Sequence, residues 1–97
     1  MHIRQIIILD NIEEKLWRDH HVRNFEVEEV FKERPHIVFR EKGMTIEGED
    51  MYTALGRTFA GRYLIVFFIY KLTHDALIVT TRDMNKSERK YYAKAKR

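Results

Sequence analysis

Leu64-Ile65-Val66-Phe67-Phe68-Ile69-Tyr70 is the stretch that leaves this chain the fewest choices. No polar residue interrupts it at alternate positions, so as a strand it needs cover on both faces. Seven residues are few for a helix, and the β-branched and aromatic content favours a strand. Leu72-Thr73-His74-Asp75 links it to a second apolar run, Ala76–Thr81, and an arginine stands at each outer end, Arg62 and Arg82. The two runs read as a hairpin at the middle of a small sheet. Its polar ends are where this chain can hold a site rigidly.

The remaining segments supply the cover. Arg4–Leu9 reads as a first strand. Asp10…Glu13 and Asn11…Glu14 both have capping-box spacing, so a helix starts here and runs to about Asp19–His21. Its apolar stripe is Ile12, Leu16 and His20, with Trp17 beside it. Asn24 opens a second helix with Glu26, Glu28 and Glu29 in its first turns, where the helix dipole favours carboxylates. Val27, Val30 and Phe31 form its buried face, and Pro35 ends it. His36–Glu41 and Met51–Thr58 read as strands, with Gly56 weakening the far end of the latter. Lys42–Asp50, holding Gly43 and Gly48, reads as a loop. The short link Thr58–Gly61 makes the strands on either side of it antiparallel neighbours. Asn85 and Glu88 form another capping box and start a last helix through about Lys96, whose thin stripe of Tyr91, Tyr92 and Ala95 must dock to persist. The order β-α-α-β-β-β-β-α predicts an α+β fold with a small, mostly antiparallel sheet, an N-terminal α-hairpin and a C-terminal helix, as one domain over residues 1–97.

The chain has 44% hydrophobic and 34% charged residues, which suits a globular domain. It has no cysteine, hence no disulfide, thiolate nucleophile or thiolate metal site. Ile6–Leu9 is too short for a membrane span or signal core, so no membrane association and a cytoplasmic location are expected. Residues 10–33 carry eight acidic against four basic side chains, whereas residues 82–97 carry seven basic against two acidic. Such a cationic end suits a polyanion, most simply RNA, although a solvated basic tail without a partner has the same composition.

Several chemistries find no foothold in the pattern. No Gly-rich phosphate loop follows a strand, and no serine-centred elbow occurs. The histidines lack ligand spacing, so no metal and no cofactor are expected. What remains are arginines, tyrosines and histidines. Arg57 and Arg62 flank a hairpin link, Arg82 ends the last strand and Arg89 follows two turns later. Taken singly, each reads most simply as a surface charge. Converging, they would stabilise the charge of a phosphoryl-transfer transition state, with a histidine or tyrosine moving the proton. Tyr91 and Tyr92 read first as packing residues. His20 reads as a core or cap histidine at a helix end from which a ring nitrogen can reach a cleft.

The blocks RDHHVRNFEVEEVFKERP, GEDMYTALGRTFAGRYLIVFFIY and ALIVTTRDMNKSERKYY, in this order and spacing, resemble the BrnT family of type II toxins. The resemblance covers nearly all of the chain from Asp10 onward. It implies a RelE-like fold, endoribonuclease activity on mRNA without a metal, and a BrnA-like antitoxin as partner. His20, Glu49 and Gly56 match the family's histidine, GE acid and strand glycine. Arg82 matches the last arginine of an RIISAR strand, and Glu88, Arg89 and Tyr92 match a terminal ERxxY. The resemblance therefore implies catalytic roles for Arg82, Arg89, His20, Tyr92 and Glu88, with Glu49 or Glu88 orienting the proton carriers. RNA binding would fall to Arg57, Arg62, Lys86 and Lys90. The pattern's arginine after GE falls at Met51 and the first of RIISAR at Leu77, while Asp19 and His21 replace a lysine and a glycine. A competing expectation is a weakened relative that engages an antitoxin or RNA without cleaving. A generic RNA-binding domain using the basic last helix is a third. Edge pairing of the first or second strand would make a homodimer.

Overall fold

A computed structural model describes residues Met1–Lys96. The element order is β1 (Ile6–Ile7), α1 (Asp10–His20), α2 (Asn24–Lys32), β2 (His36–Glu41), β3 (Met51–Arg57), β4 (Tyr63–Tyr70), β5 (Ala76–Asp83) and α3 (Lys86–Ala95). The sheet runs β1-β5-β4-β3-β2, so β4 is its middle strand, as its unbroken apolar run requires. All pairings are antiparallel except β1 with β5, which is parallel. The first strand pairs over only two residues, Ile6 with Ala76 and Ile7 with Leu77, and is shorter than its apolar run predicts.

Cross-strand partners share a face, so the register sorts every side chain of the sheet. Ala54, Leu64, Val66, Phe68, Ala76 and Ile78 face one way and pack with Leu16, Val22, Val27 and Val30 of the α1–α2 hairpin. Each such side chain contributes about 1.5–3 kcal/mol if a Val, Leu, Ile or Phe is fully withdrawn from water. On the other face Leu55 and Ile65 pack with Met84 and Tyr92, which dock α3. Gly56, far from weakening β3, sits buried under α2, where a Cβ would come within 3.0 Å of Val30 Cγ1. The missing side chain is what lets the helix lie against the strand.

Two helix ends differ from their sequence signals. Leu9 rather than Asp10 precedes α1, and no side chain caps it. Likewise Asn24 is already helical, while Glu26 Oε1 accepts from the Arg23 backbone N–H at 3.0 Å. At its other end α1 stops on His21, which takes a left-handed conformation (φ 52°, ψ 43°) that glycine usually fills. The carbonyls left open by this turn are closed by the residue just before β4. Arg62 donates from Nη2 to His20 O (2.9 Å) and from Nη1 to His21 O (2.8 Å).

A second tie fixes the N-terminus. Arg4 forms a two-pronged pair with Asp75 (2.8 and 2.9 Å), and Thr73 Oγ1 donates to the same carboxylate at 2.8 Å. Asp75 is only 4% exposed. The hydrogen bond from Arg4 holds its carboxyl far below the usual carboxylate range. A depressed folded-state pKa adds stability above the unfolded value of about 3.9, lost as pH falls from there through the lower folded value. The protection of Ala76 N–H, which donates to Gln5 O, measured against the intrinsic exchange rate at each pH, should therefore hold at neutral pH and fall only below about pH 4. Asp75→Asn should lower it already at pH 7 while β2–β4 stay protected. Unchanged exchange in that variant would remove the pair from any role in seating β1.

Candidate nucleic-acid interface

The face of the sheet opposite the α-hairpin gathers most of the residues expected at the site, and its register forms three rows. His36, Leu55, Ile65 and Arg82 are aligned across β2, β3, β4 and β5, and Val38, Thr53, Phe67 and Thr80 form the next row. Met51, Ile69 and Leu77 form a third. The two positions where the family pattern has arginines therefore lie in one row on this same face, and here that row is apolar.

Helix α3 crosses the first row. Its N-cap works as its sequence predicts: Asn85 Oδ1 accepts from Glu88 N–H (2.8 Å) while Glu88 Oε1 accepts from Asn85 N–H (2.9 Å). The same Glu88 carboxylate receives the Arg82 fork in two parallel bonds of 2.8 Å each. Arg82 also donates to Asp83 O at 3.1 Å and lies over the Phe67 ring, 5.6 Å from its centroid. The Arg82 hydrogen bond holds the Glu88 carboxyl below its ordinary range, and Glu88 raises the guanidinium in turn. At the β2 end of the helix, Tyr91 Oη and His36 Nε2 are 3.0 Å apart.

On the hairpin side of α3 the guanidinium groups of Arg57 and Arg89 stack on the Tyr63 ring, 4.5 and 4.1 Å from its centroid. Arg57 also donates to Gly61 O from Nε (3.3 Å) and Nη2 (3.2 Å). Tyr92 meets Tyr63 edge-on at 6.1 Å, and burial pushes its phenol up. These residues, with Lys90 and Lys96, line a cleft of about 520 Å³. Aromatic faces between cations are what a single-stranded nucleic acid needs, since its bases stack on the rings and its phosphates pair with the charges.

The residues expected from the sequence thus divide. Arg82, Glu88, Arg89, Tyr92, Arg57 and Lys90 come together along α3 and the strand ends beneath it. Lys86 is exposed in the first turn of the same helix. His20 does not join them. It ends α1 on the opposite face, where its carbonyl accepts from Arg62 and its ring acts on the charge of Asp83. Arg62 is likewise committed elsewhere. Beyond the two carbonyls of α1 it holds Asp83 (2.8 and 3.1 Å) and Glu26 (3.3 Å to each oxygen). Glu49 sits at the far end of the sheet, accepting from Lys71 Nζ (2.9 Å) and Leu72 N–H (3.1 Å), which fixes the β2–β3 loop to the β4–β5 turn.

Three members of this face escape sequence reasoning. Tyr63 is hidden by its place at the start of an apolar run. His36 and Arg40 lie in β2, where the two-residue period through His36, Val38 and Arg40 is the signal that could have found them. Among the described residues no group of three or more His, Asp or Glu side chains is placed to share a metal ion. No helix among them is long and apolar enough to cross a membrane.

No curated protein matches the chain. The family model described as "Ribonuclease toxin, BrnT, of type II toxin-antitoxin system" matches residues 10–88, from the start of α1 into the first turn of α3. That span contains both faces of the sheet and the Arg82–Glu88 pair, and leaves Arg89 and Tyr92 just beyond it. The chain belongs to the BrnT family of ribonuclease toxins of type II toxin–antitoxin systems, for which an RNA substrate and an antitoxin partner follow.

Proposed function

We propose that the chain is a metal-independent endoribonuclease that cleaves mRNA on the α3 side of its sheet and is held in check by a protein antitoxin. The observation that carries this reading is the Arg82–Glu88 pair. A fork that binds a carboxylate in two bonds of 2.8 Å is shaped for two phosphate oxygens as well. In the reaction the ribose 2′-oxygen attacks the adjacent phosphorus and the P–O5′ bond breaks. The products are a 2′,3′-cyclic phosphate and a 5′-hydroxyl. One proton leaves the 2′-hydroxyl and one reaches the departing 5′-oxygen.

Tyr92, kept protonated by burial, suits the second transfer. Glu88 is the nearest carboxylate to the fork, but its lowered pKa makes it a weak base. The rate must then come mainly from arginines that meet the charge developing on phosphorus. Removing one such donor ordinarily costs about a hundred- to a thousandfold, so charge stabilisation outweighs the proton transfers here. Arg89 and Arg57, stacked on Tyr63, hold the strand beside the scissile phosphate, with Lys90 and Lys86 at the edge.

A second reading has its own support. The row Met51, Ile69, Leu77 puts apolar side chains where the family pattern has two arginines, which suits a relative that binds without cutting. One assay separates the two. Long single-stranded RNA incubated in EDTA should give fragments with cyclic phosphate ends, unchanged by added Mg²⁺. Cleavage only with Mg²⁺ removes metal independence, and retained RNA with no fragments in either buffer leaves the binding module.

A further inference from the structure

We propose that Arg40 is a cation of the RNA site, holding the strand's phosphodiester backbone from the β2 side opposite Arg82. The inference rests on the RNA-binding reading above and adds a residue that lies outside the family's arginine positions. Arg40 falls at a bulge. The ladder pairs Phe39 with Tyr52 and then Glu41 with Met51, leaving Arg40 without a partner on β3. A bulge turns a side chain off its regular course, and such devices recur beside functional sites.

Beside this bulge the Arg40 side chain keeps to the face of His36 and Val38 and turns inward. Arg40 Nε donates to Thr53 Oγ1 at 2.9 Å, and Thr53 is fully buried in the middle row of the α3 face. A charge placed on an edge strand only to discourage aggregation projects into water. It has no reason to reach across to a buried hydroxyl on the neighbouring strand. Both η nitrogens of Arg40 have no protein partner among the described residues, and the residue is exposed. The guanidinium is oriented at one nitrogen and open at the other two.

Arg40 also faces the right group. Its charge is among those that lower the Glu88 carboxyl, after Arg82 and the Asn85 backbone. Glu88 is therefore bound directly by Arg82 and lies within reach of the charge of Arg40. The floor between them is Thr53, Phe67 and Thr80, polar and aromatic without a carboxylate. Met51, the family's arginine position, neighbours Arg40 across the bulge. A cation from β2 thus reaches the face that β3 leaves uncharged.

The test uses a long RNA made uncleavable by 2′-O-methyl groups, with Arg40→Ala, Arg40→Lys and Arg82→Ala beside the wild type. Arg40→Ala should weaken binding about tenfold. It should also flatten the slope of log affinity against log salt by about 0.7, the share of one phosphate contact on a single strand. Arg40→Lys should keep the slope and lose part of the affinity, since an ammonium carries the charge without the fork. A residue that only braces β2 would shift the melting temperature and leave the salt slope unchanged. If Arg40→Ala binds with wild-type affinity and slope while Arg82→Ala does not, Arg40 is no part of the site and the RNA reading stands. If the wild type itself fails to retain the RNA, both fall.

Discussion

Arg82→Ala should cut RNA cleavage by about a hundredfold or more and leave the protein folded. The side chain is a third exposed and its partner Glu88 a fifth, so the pair sits at the surface of the core and not inside it. Losing it costs about 1 kcal/mol of stability, the range of partly exposed ion pairs. That is a small shift against the roughly 5–15 kcal/mol typical of a domain. In the proposed reaction the loss in rate is larger because the fork would meet charge that exists only as the 2′-oxygen attacks. Arg82→Lys should recover only part of the rate, because one ammonium cannot make two parallel bonds. Fragment yield from a labelled RNA, with a thermal melt beside it, is the measurement. Cleavage within about threefold of wild type by a folded Arg82→Ala protein would move the reaction away from this pair.

Arg62→Ala should have the opposite profile, a large loss of stability with RNA affinity per folded molecule unchanged. Its guanidinium binds two carboxylates and two backbone carbonyls and is about a quarter exposed. Removing it leaves Glu26, itself 16% exposed, without its cation and opens the end of α1. Breaking such a network costs about 3 kcal/mol. For a domain of this size that lowers the melting temperature by roughly 12–24 °C. Urea unfolding gives the first number and a salt-matched RNA titration the second. Stability within about 1 kcal/mol of wild type, together with weaker RNA binding, would return Arg62 to the nucleic-acid site.

The contrast between these two arginines shows where sequence reasoning reaches its limit. Element order, the central place of β4 and the Asn85–Glu88 cap follow from period and capping chemistry, which act within a few residues of chain. Arg62 and Arg82 look alike by those rules, since each ends an apolar strand. They differ because adjacent strand residues point to opposite faces, and the face is set by partners far along the chain. Asp83 faces α1 and therefore takes Arg62, whereas Arg82 faces α3 and takes Glu88. His20 and Glu49 go the same way. Each belongs to a matching motif, yet α1 lies behind the sheet and the β2–β3 loop at its far end. Arg40 is hidden for a further reason. It shares the two-residue period of His36 and Val38, but at the end of an edge strand that period reads equally well as a solvated charge, and the bulge beside it is set by β3.

The Glu88 carboxylate, which closes the start of α3 and fills the Arg82 fork, also fixes what can enter. Any incoming phosphate competes with a group tethered beside the fork at an effective concentration of about a millimolar or more. A lone nucleoside monophosphate, offering one contact, has little to set against such a rival. On the proposed reading a longer strand does, because stacking at Tyr63 and pairing with Arg89 would hold its next phosphates while one displaces the carboxylate. The internal anion would then act as a length filter, closing the site to mononucleotides and opening it to polymers.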